Sequence, residues 1–256
     1  MTYFWNIADK IKEDLPWGVT ANLIARRNVR DDVEFSLAFP KAGGGEDIDF
    51  CRRKRDASTN RGGVGLVAAP KVIAVHPWWD GGRRVYWRFF RWGCGDGVLI
   101  KMHPKLAWRD WSPNSAETLL ISPVLILSGV GLGYFGRGEL LRTAGTVLPL
   151  NTMLVNILYD VYRHCISDKE SARSFQTSVG RVGWGIAICE GALIRMTNEM
   201  GRLTGILRRG EWSSVGKRFD WFAGGPGAII PERNGNLQRS SLIIVLTAST
   251  TAYFHS

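Results

Sequence analysis

Cysteine is scarce in this chain and never paired. Its four copies, Cys51, Cys94, Cys165 and Cys189, are scattered widely over 256 residues. That spacing supplies neither a zinc site nor a disulfide framework, so they read as reduced thiols. The opening Met1-Thr2-Tyr3-Phe4-Trp5-Asn6 lacks the basic start and apolar middle of a signal peptide. No internal repeat is evident. Acidic residues are in the minority, with 23 Asp and Glu against 33 Lys and Arg, a formal charge of +10. The excess points to anionic partners: nucleotide phosphates, nucleic acid or an acidic lipid surface. Because the cations cluster beside apolar runs rather than along one long patch, lipid and nucleotide are favoured. What the chain has in quantity is apolar: 45% of it is hydrophobic and 11 residues are tryptophan. That is enough for one or two domains with a real core. So many tryptophans suit a sugar-stacking surface or a membrane interface.

One stretch organises the rest: Gly43-Gly44-Gly45-Glu46-Asp47-Ile48-Asp49-Phe50-Cys51. A glycine run allows backbone conformations closed to other residues and lets a ligand approach the main chain. An acid at the mouth of such a loop acts as a general base when a hydroxyl lies within hydrogen-bond reach. The same letters also describe a helix start, where acids complement the dipole and cap the first amides. The spacing predicts a helix from Ile48 to Arg55 bearing the basic run Arg52 to Arg55 on a solvated face.

Around that stretch, Thr2 to Leu15 carries Phe4, Ile7, Ala8 and Ile11 at helical spacing, and Pro16-Trp17-Gly18 breaks it. Gly18 to Ala25 and Val64 to Val75 read as strands, the second interrupted by Pro70. His76-Pro77-Trp78-Trp79-Asp80-Gly81-Gly82 is a turn-rich loop. It leads into the basic-aromatic Arg83 to Gly93, where Arg84, Arg88 and Arg91 share a face at helical spacing. After Glu117 the character changes. Thr118 to Phe135 holds no charge until its end, a length that can span a bilayer core, with Gly129, Gly131 and Gly133 suited to close helix packing. Ala144 to Tyr162 is a second apolar stretch with Asp160 as its one acid. Val182 to Ile194 is shorter and suits the membrane interface. Arg137, Arg142, Arg163, Arg181 and Arg195 flank these runs as snorkelling or loop cations. Leu203 to Phe222 is basic and amphipathic, and Leu242 to Phe254 is an apolar, threonine-rich tail.

The order of these motifs resembles the C-terminal half of family 2 glycosyltransferases. The residues that carry the resemblance are Pro16-Trp17-Gly18-Val19-Thr20-Ala21-Asn22, Phe39-Pro40-Lys41, the Gly43 to Phe50 run, His76-Pro77-Trp78-Trp79 and Arg88-Phe89-Phe90-Arg91-Trp92. It implies an α/β fold, the C-terminal part of a Rossmann-like GT-A domain over residues 1–115. A membrane-associated helical region over 116–200 and a basic amphipathic segment with the tail over 201–256 would follow.

The resemblance implies site residues by position. Asp47, with Glu46 as second choice, would be the base that deprotonates an acceptor hydroxyl, giving inversion at the sugar. Gly44 and Gly45 would line the substrate site. Arg88-x-x-Arg91-Trp92 resembles the family's Gln-x-x-Arg-Trp motif with Arg in place of Gln. Arg91 would face the diphosphate and Trp92 would floor the acceptor site. His76 sits where some members place a metal ligand, and a divalent metal, Mg or Mn, is expected from the resemblance alone. The partners implied are a nucleotide-sugar donor, a glycan or lipid acceptor and the membrane, with the catalytic part in the cytosol. The apolar stretches argue against reading Arg83 to Arg91 as a nucleic-acid surface.

In the family, a nucleotide-binding half with an Asp-x-Asp motif precedes the acidic loop. The short segment before Gly43 leaves no room for it. Asp47-Ile48-Asp49 spells the motif by letter, yet it follows a glycine turn and not an apolar strand. The expectation is therefore a C-terminal piece of such an enzyme. The alternative is a non-catalytic membrane-associated protein that holds anionic lipid or a partner subunit.

Overall fold

The computed structural model describes residues 15–18, 23–25, 31–41, 44–69, 85–167, 169–221 and 229–256, with the side chains at 167 and 169–179 outside that set. Helix α1 is Glu46–Thr59 and α2 is Tyr86–Met102. A short strand β1, Ala107–Arg109, leads to α3, Ser115–Gly133, and α4, Glu139–Tyr162. Helix α5, Lys169–Arg208, is interrupted at Gly180, whose φ of 71° and ψ of 165° are not helical. Strand β2, Lys217–Phe219, and helix α6, Ile229–Phe254, complete the order.

The described residues are mostly helical, and their one sheet is the antiparallel pair β1–β2, with Ala107 opposite Phe219 and Arg109 opposite Lys217. This overturns the expected α/β, Rossmann-like GT-A architecture. A parallel sheet needs several short apolar runs joined by crossovers. Here the long apolar runs lie in helices α3, α4 and α6, and the run Val98-Leu99-Ile100 is the buried end of α2. At 64–69 the predicted strand contributes a single bridge, Leu66 with Leu15. Residues 70–75, residues 19–22 of the stretch Gly18 to Ala25 and nearly all of Thr2 to Leu15 lie outside the described residues.

Two helical units can be distinguished. In the first, α2 and α5 cross in parallel through glycine. A Cβ on Gly93 or Gly201 would run into the backbone of the facing helix, at Asn198 and Phe90 respectively, and one on Gly205 would sit 2.8 Å from the Cys94 oxygen. Gly93 and Gly97, like Gly201 and Gly205, are four residues apart and so lie on one helical face. The core beneath this crossing is Phe39, Ile48, Val98, Leu99, Ile100, Ile206 and Phe219.

In the second unit, α3, α4 and α6 pack with their polar residues inward. Ser122, Asn151, Thr152, Asn156, Thr247 and Thr251 are buried. Ser122 donates to the Gly145 carbonyl at 2.6 Å, and the Asn151 amide donates to Thr247 at 3.2 Å. Leu120, Val124, Leu127, Leu150, Leu154, Ile244 and Val245 are exposed, with Leu127 at 71%. Burial is therefore inverted relative to a helix of a water-soluble core, which turns its apolar stripe inward. Among the described residues α3 is the helix long and apolar enough to cross a membrane, and only 22% of its apolar window is buried. Its 19 residues rise about 28 Å, close to a bilayer core.

Helix α3 starts where it does because of a complete capping box. Asn114 Oδ1 accepts from the Glu117 amide at 2.9 Å, and Glu117 Oε2 accepts from the Asn114 amide at 3.0 Å. Close backbone contact of Gly129 with Gly138 brings α4 back along α3. At that far end Tyr134, Phe135, Tyr253 and Phe254 are all exposed, and the His255 ring meets the Thr143 hydroxyl at 3.0 Å.

Candidate functional site

The glycine run is both a loop and a helix start. Gly44 and Gly45 take φ of 123° and 91°, in the region that side chains rarely adopt. Gly45 is the N-cap of α1, and Glu46, Asp47 and Asp49 occupy the first turn, where the dipole favours anions. Glu46 turns back on the loop, its Oε2 accepting from the Gly44 amide at 2.6 Å. Asp47 is half-buried and accepts from the Ile48 amide at 3.0 Å. The helix predicted from Ile48 to Arg55 is found, extended at both ends to Glu46–Thr59.

The basic-aromatic motif is the start of α2, and it comes to this loop through backbone. A Cβ on Gly44 would lie 2.7 Å from Trp92 Cα and 3.1 Å from the Arg91 oxygen. On the next turn a Cβ on Gly95 would run into the Gly44 carbonyl. Two motifs nearly fifty positions apart are thus in van der Waals contact, and no side chain fits between them. Arg88, Arg91 and Trp92 are half-buried. The Arg91 Nε is buried without a hydrogen-bond partner among the described residues. The Trp92 ring meets Phe89 edge to face at 5.2 Å.

Asp49 has another role. It is fully buried, its Oδ2 bound by Arg53 at 2.7 Å and its Oδ1 by the His103 ring at 3.0 Å. Burial works against its charge, but the bonds from His103 and Arg53 prevail and hold its carboxyl below the usual range. Both oxygens are occupied, so Asp47-Ile48-Asp49 does not fit the donor set of a divalent cation. Among the described residues no three His, Cys, Asp or Glu side chains are grouped to hold a metal. His76 and Gly43 lie outside the described residues.

From His103 the structure continues to a second feature. The His103 ring lies 6.3 Å from that of Phe219, and Phe219 meets Trp221 edge to face at 6.2 Å. Trp17, from the Pro16-Trp17-Gly18 motif, donates its indole N–H to the Trp221 carbonyl at 2.8 Å. Beyond Trp221 opens a cavity of about 240 Å³ at the end of the bundle where α3 and α6 begin and α4 ends. Arg163, Arg195, Arg202 and Arg239 line it with Trp108 and Trp221, beside Glu199, Asp220 and Glu232. Arg195, expected to snorkel, turns inward instead and donates to Asn156 and Asp160, both at 2.9 Å. Nearby, Arg218 is only 1% exposed and clasps both oxygens of Glu117 at 2.8 and 2.7 Å.

No family model matches the chain, and no curated protein or solved structure is significantly similar to it. Sequence reasoning stopped the α2 motif at Gly93. It missed that Gly93, Gly95 and Gly97 let the helix touch α5 on one side and the acidic loop on the other. The alternating glycines of Gly93-Cys94-Gly95-Asp96-Gly97 were the available signal. Nothing local marked the partnership of Asp49 with His103, which are 54 positions apart.

Proposed function

We propose that this chain carries the acceptor side of a membrane-bound glycosyltransferase of the family 2 kind. It would move a sugar from a nucleotide-sugar donor to a hydroxyl of a glycan or lipid acceptor, with inversion. The observation that carries the reading is the contact of Gly44 with Trp92, which sets the acidic loop against the Arg-x-x-Arg-Trp helix. In this reading Asp47, at the positive end of α1, takes the proton from the acceptor hydroxyl as it attacks the anomeric carbon. Glu46, engaged by the Gly44 amide, holds the loop in shape. Arg91 offers a cation to the departing diphosphate. The outward apolar faces of α3, α4 and α6 support anchorage in a bilayer; this reading puts the acidic loop on the cytosolic face.

A nucleotide-binding sheet has no counterpart among the described residues, and this reading assigns the donor site to residues outside that set. The test is to express the chain with and without the reading frame immediately upstream of Met1. Membranes are then assayed with radiolabelled UDP-glucose, UDP-N-acetylglucosamine and GDP-mannose. The reading expects label in lipid or polymer only when the upstream segment is present and encodes an Asp-x-Asp strand. No transfer with that segment present, or an upstream frame without such a strand, overturns it.

A further inference from the structure

The arginine-lined cavity is not accounted for by the acidic loop. Its cations are unequally matched. Arg195 is satisfied by Asn156, Asp160 and Glu199. Arg239 donates to Asn236 at 2.8 Å and lies 3.9 Å from Asp160. Arg202 is different: its side chain is 11% exposed, yet its nearest acids, Asp96 and Glu232, stand off at 3.9 and 4.0 Å. Its Nε makes no hydrogen bond among the described residues. Arg163, half-buried at the mouth just after α4, has no acid within ion-pair reach among the described residues. A guanidinium taken out of water without a hydrogen-bonded anion is a costly arrangement, and Arg202 inside the cavity with the half-buried Arg163 at its mouth marks the place where an anion completes it.

The geometry points to this cavity as a binding site for a phosphate monoester. Guanidinium forks match phosphate oxygens in geometry as well as charge. The volume limits the ligand. At about 240 Å³ it falls below the roughly 300–1,000 Å³ typical of sites for drug-sized molecules, so it suits a headgroup and not a nucleotide sugar. Its position agrees with that size. It opens where the apolar stretches of α3, α4 and α6 end, the level at which headgroups lie if these helices are in a bilayer, and Trp108 and Trp221 are interfacial in kind. The same chemistry could come from a lipid headgroup or from free phosphate. The inference needs only the cavity, not the transfer reaction.

The full chain in maltoside micelles is titrated by calorimetry with inorganic phosphate and, separately, with dihexanoyl phosphatidic acid. Saturable binding of one ligand per chain is expected. Arg163→Gln and Arg202→Gln should each weaken it about tenfold or more, the value of one charge-assisted hydrogen bond. Arg137→Gln, at the far end of the bundle, should leave it unchanged. Arg163→Gln removes a side chain with no ion-pair partner among the described residues, and an unchanged unfolding temperature in the same micelles separates lost binding from lost folding. Binding of phosphatidic acid alone identifies a lipid headgroup, and binding of both identifies a phosphate site that needs no acyl chain. Absence of saturable binding by either, or equal binding by the two variants and the unaltered chain, overturns the inference. No sugar donor is involved, so this result stands apart from the transfer assay.

Discussion

Gly44 lies so close to Trp92 that a Cβ on the glycine would fall 2.7 Å from the tryptophan Cα. The contact is between backbones, and it puts the acidic loop in a fixed position relative to the first turns of α2. Gly44→Ala meets both this contact and a φ of 123°, and should destabilise the chain by about 2–4 kcal/mol. Gly131→Ala, with nothing within 4 Å of the new methyl, should be neutral or stabilising by up to about 1 kcal/mol. Thermal unfolding of the two variants in detergent compares them directly.

Arg218 and Glu117 tie β2 to the first turn of α3. Arg218→Met leaves the Glu117 carboxylate buried without its partner and should cost about 3–5 kcal/mol. Adding Glu117→Gln removes the stranded charge and should recover a substantial part of the loss. Chemical denaturation of the single and double variants reads this, and equal loss in both would show that the charge is not what matters.

Asp96 gives the chain a specific pH dependence. Burial pushes its carboxyl up to about 7, with Glu232 adding to the shift and Arg202 opposing it. The folded form therefore holds this proton more tightly than the unfolded one. Stability from this group falls as pH rises from about 4 to about 7, and the full penalty, of order a few kcal/mol, remains above that range. Asp96→Asn should raise the unfolding temperature at pH 8 and change it little at pH 3. An equal effect at both values would mean that Asp96 is not the titrating group.

The inverted burial of α3, α4 and α6 predicts how the protein partitions. Expressed alone, the chain should sediment with membranes, resist extraction at alkaline pH and enter solution with detergent. Recovery in the supernatant after high-speed centrifugation without detergent would contradict the membrane reading.

The local structure around the acidic loop was legible in sequence because it rests on local chemistry. Three glycines before acids encode both a turn and a helix start, so the beginning of α1 was within two residues of its predicted place. The apolar lengths of α3 and α4 were also visible. The architecture was not, because motif letters in loops and helix starts carry no information about the sheet that a resemblance brings with it. The role of Asp49 was hidden for another reason. Its letter belongs to the acidic run, and only the fold brings His103 and Arg53 to its two oxygens. The cavity arginines come from the turn just after α4, from α5 and from α6, and spacing along the chain does not reveal that they converge.

The most direct test of the proposed site compares Asp47→Asn, Glu46→Gln and Arg91→Ala side by side, in membranes that also contain the donor-binding part, measuring sugar transfer and nucleotide affinity. Asp47→Asn should lower turnover by roughly a hundred- to ten-thousandfold, the usual contribution of a general base, and leave nucleotide binding intact. Glu46→Gln should be milder, since its contact is with the Gly44 amide. Arg91→Ala should weaken nucleotide binding as well as turnover. Near-normal turnover in Asp47→Asn with loss in Glu46→Gln would make Glu46 the base, and no effect from either would mean that the loop is not the catalytic site.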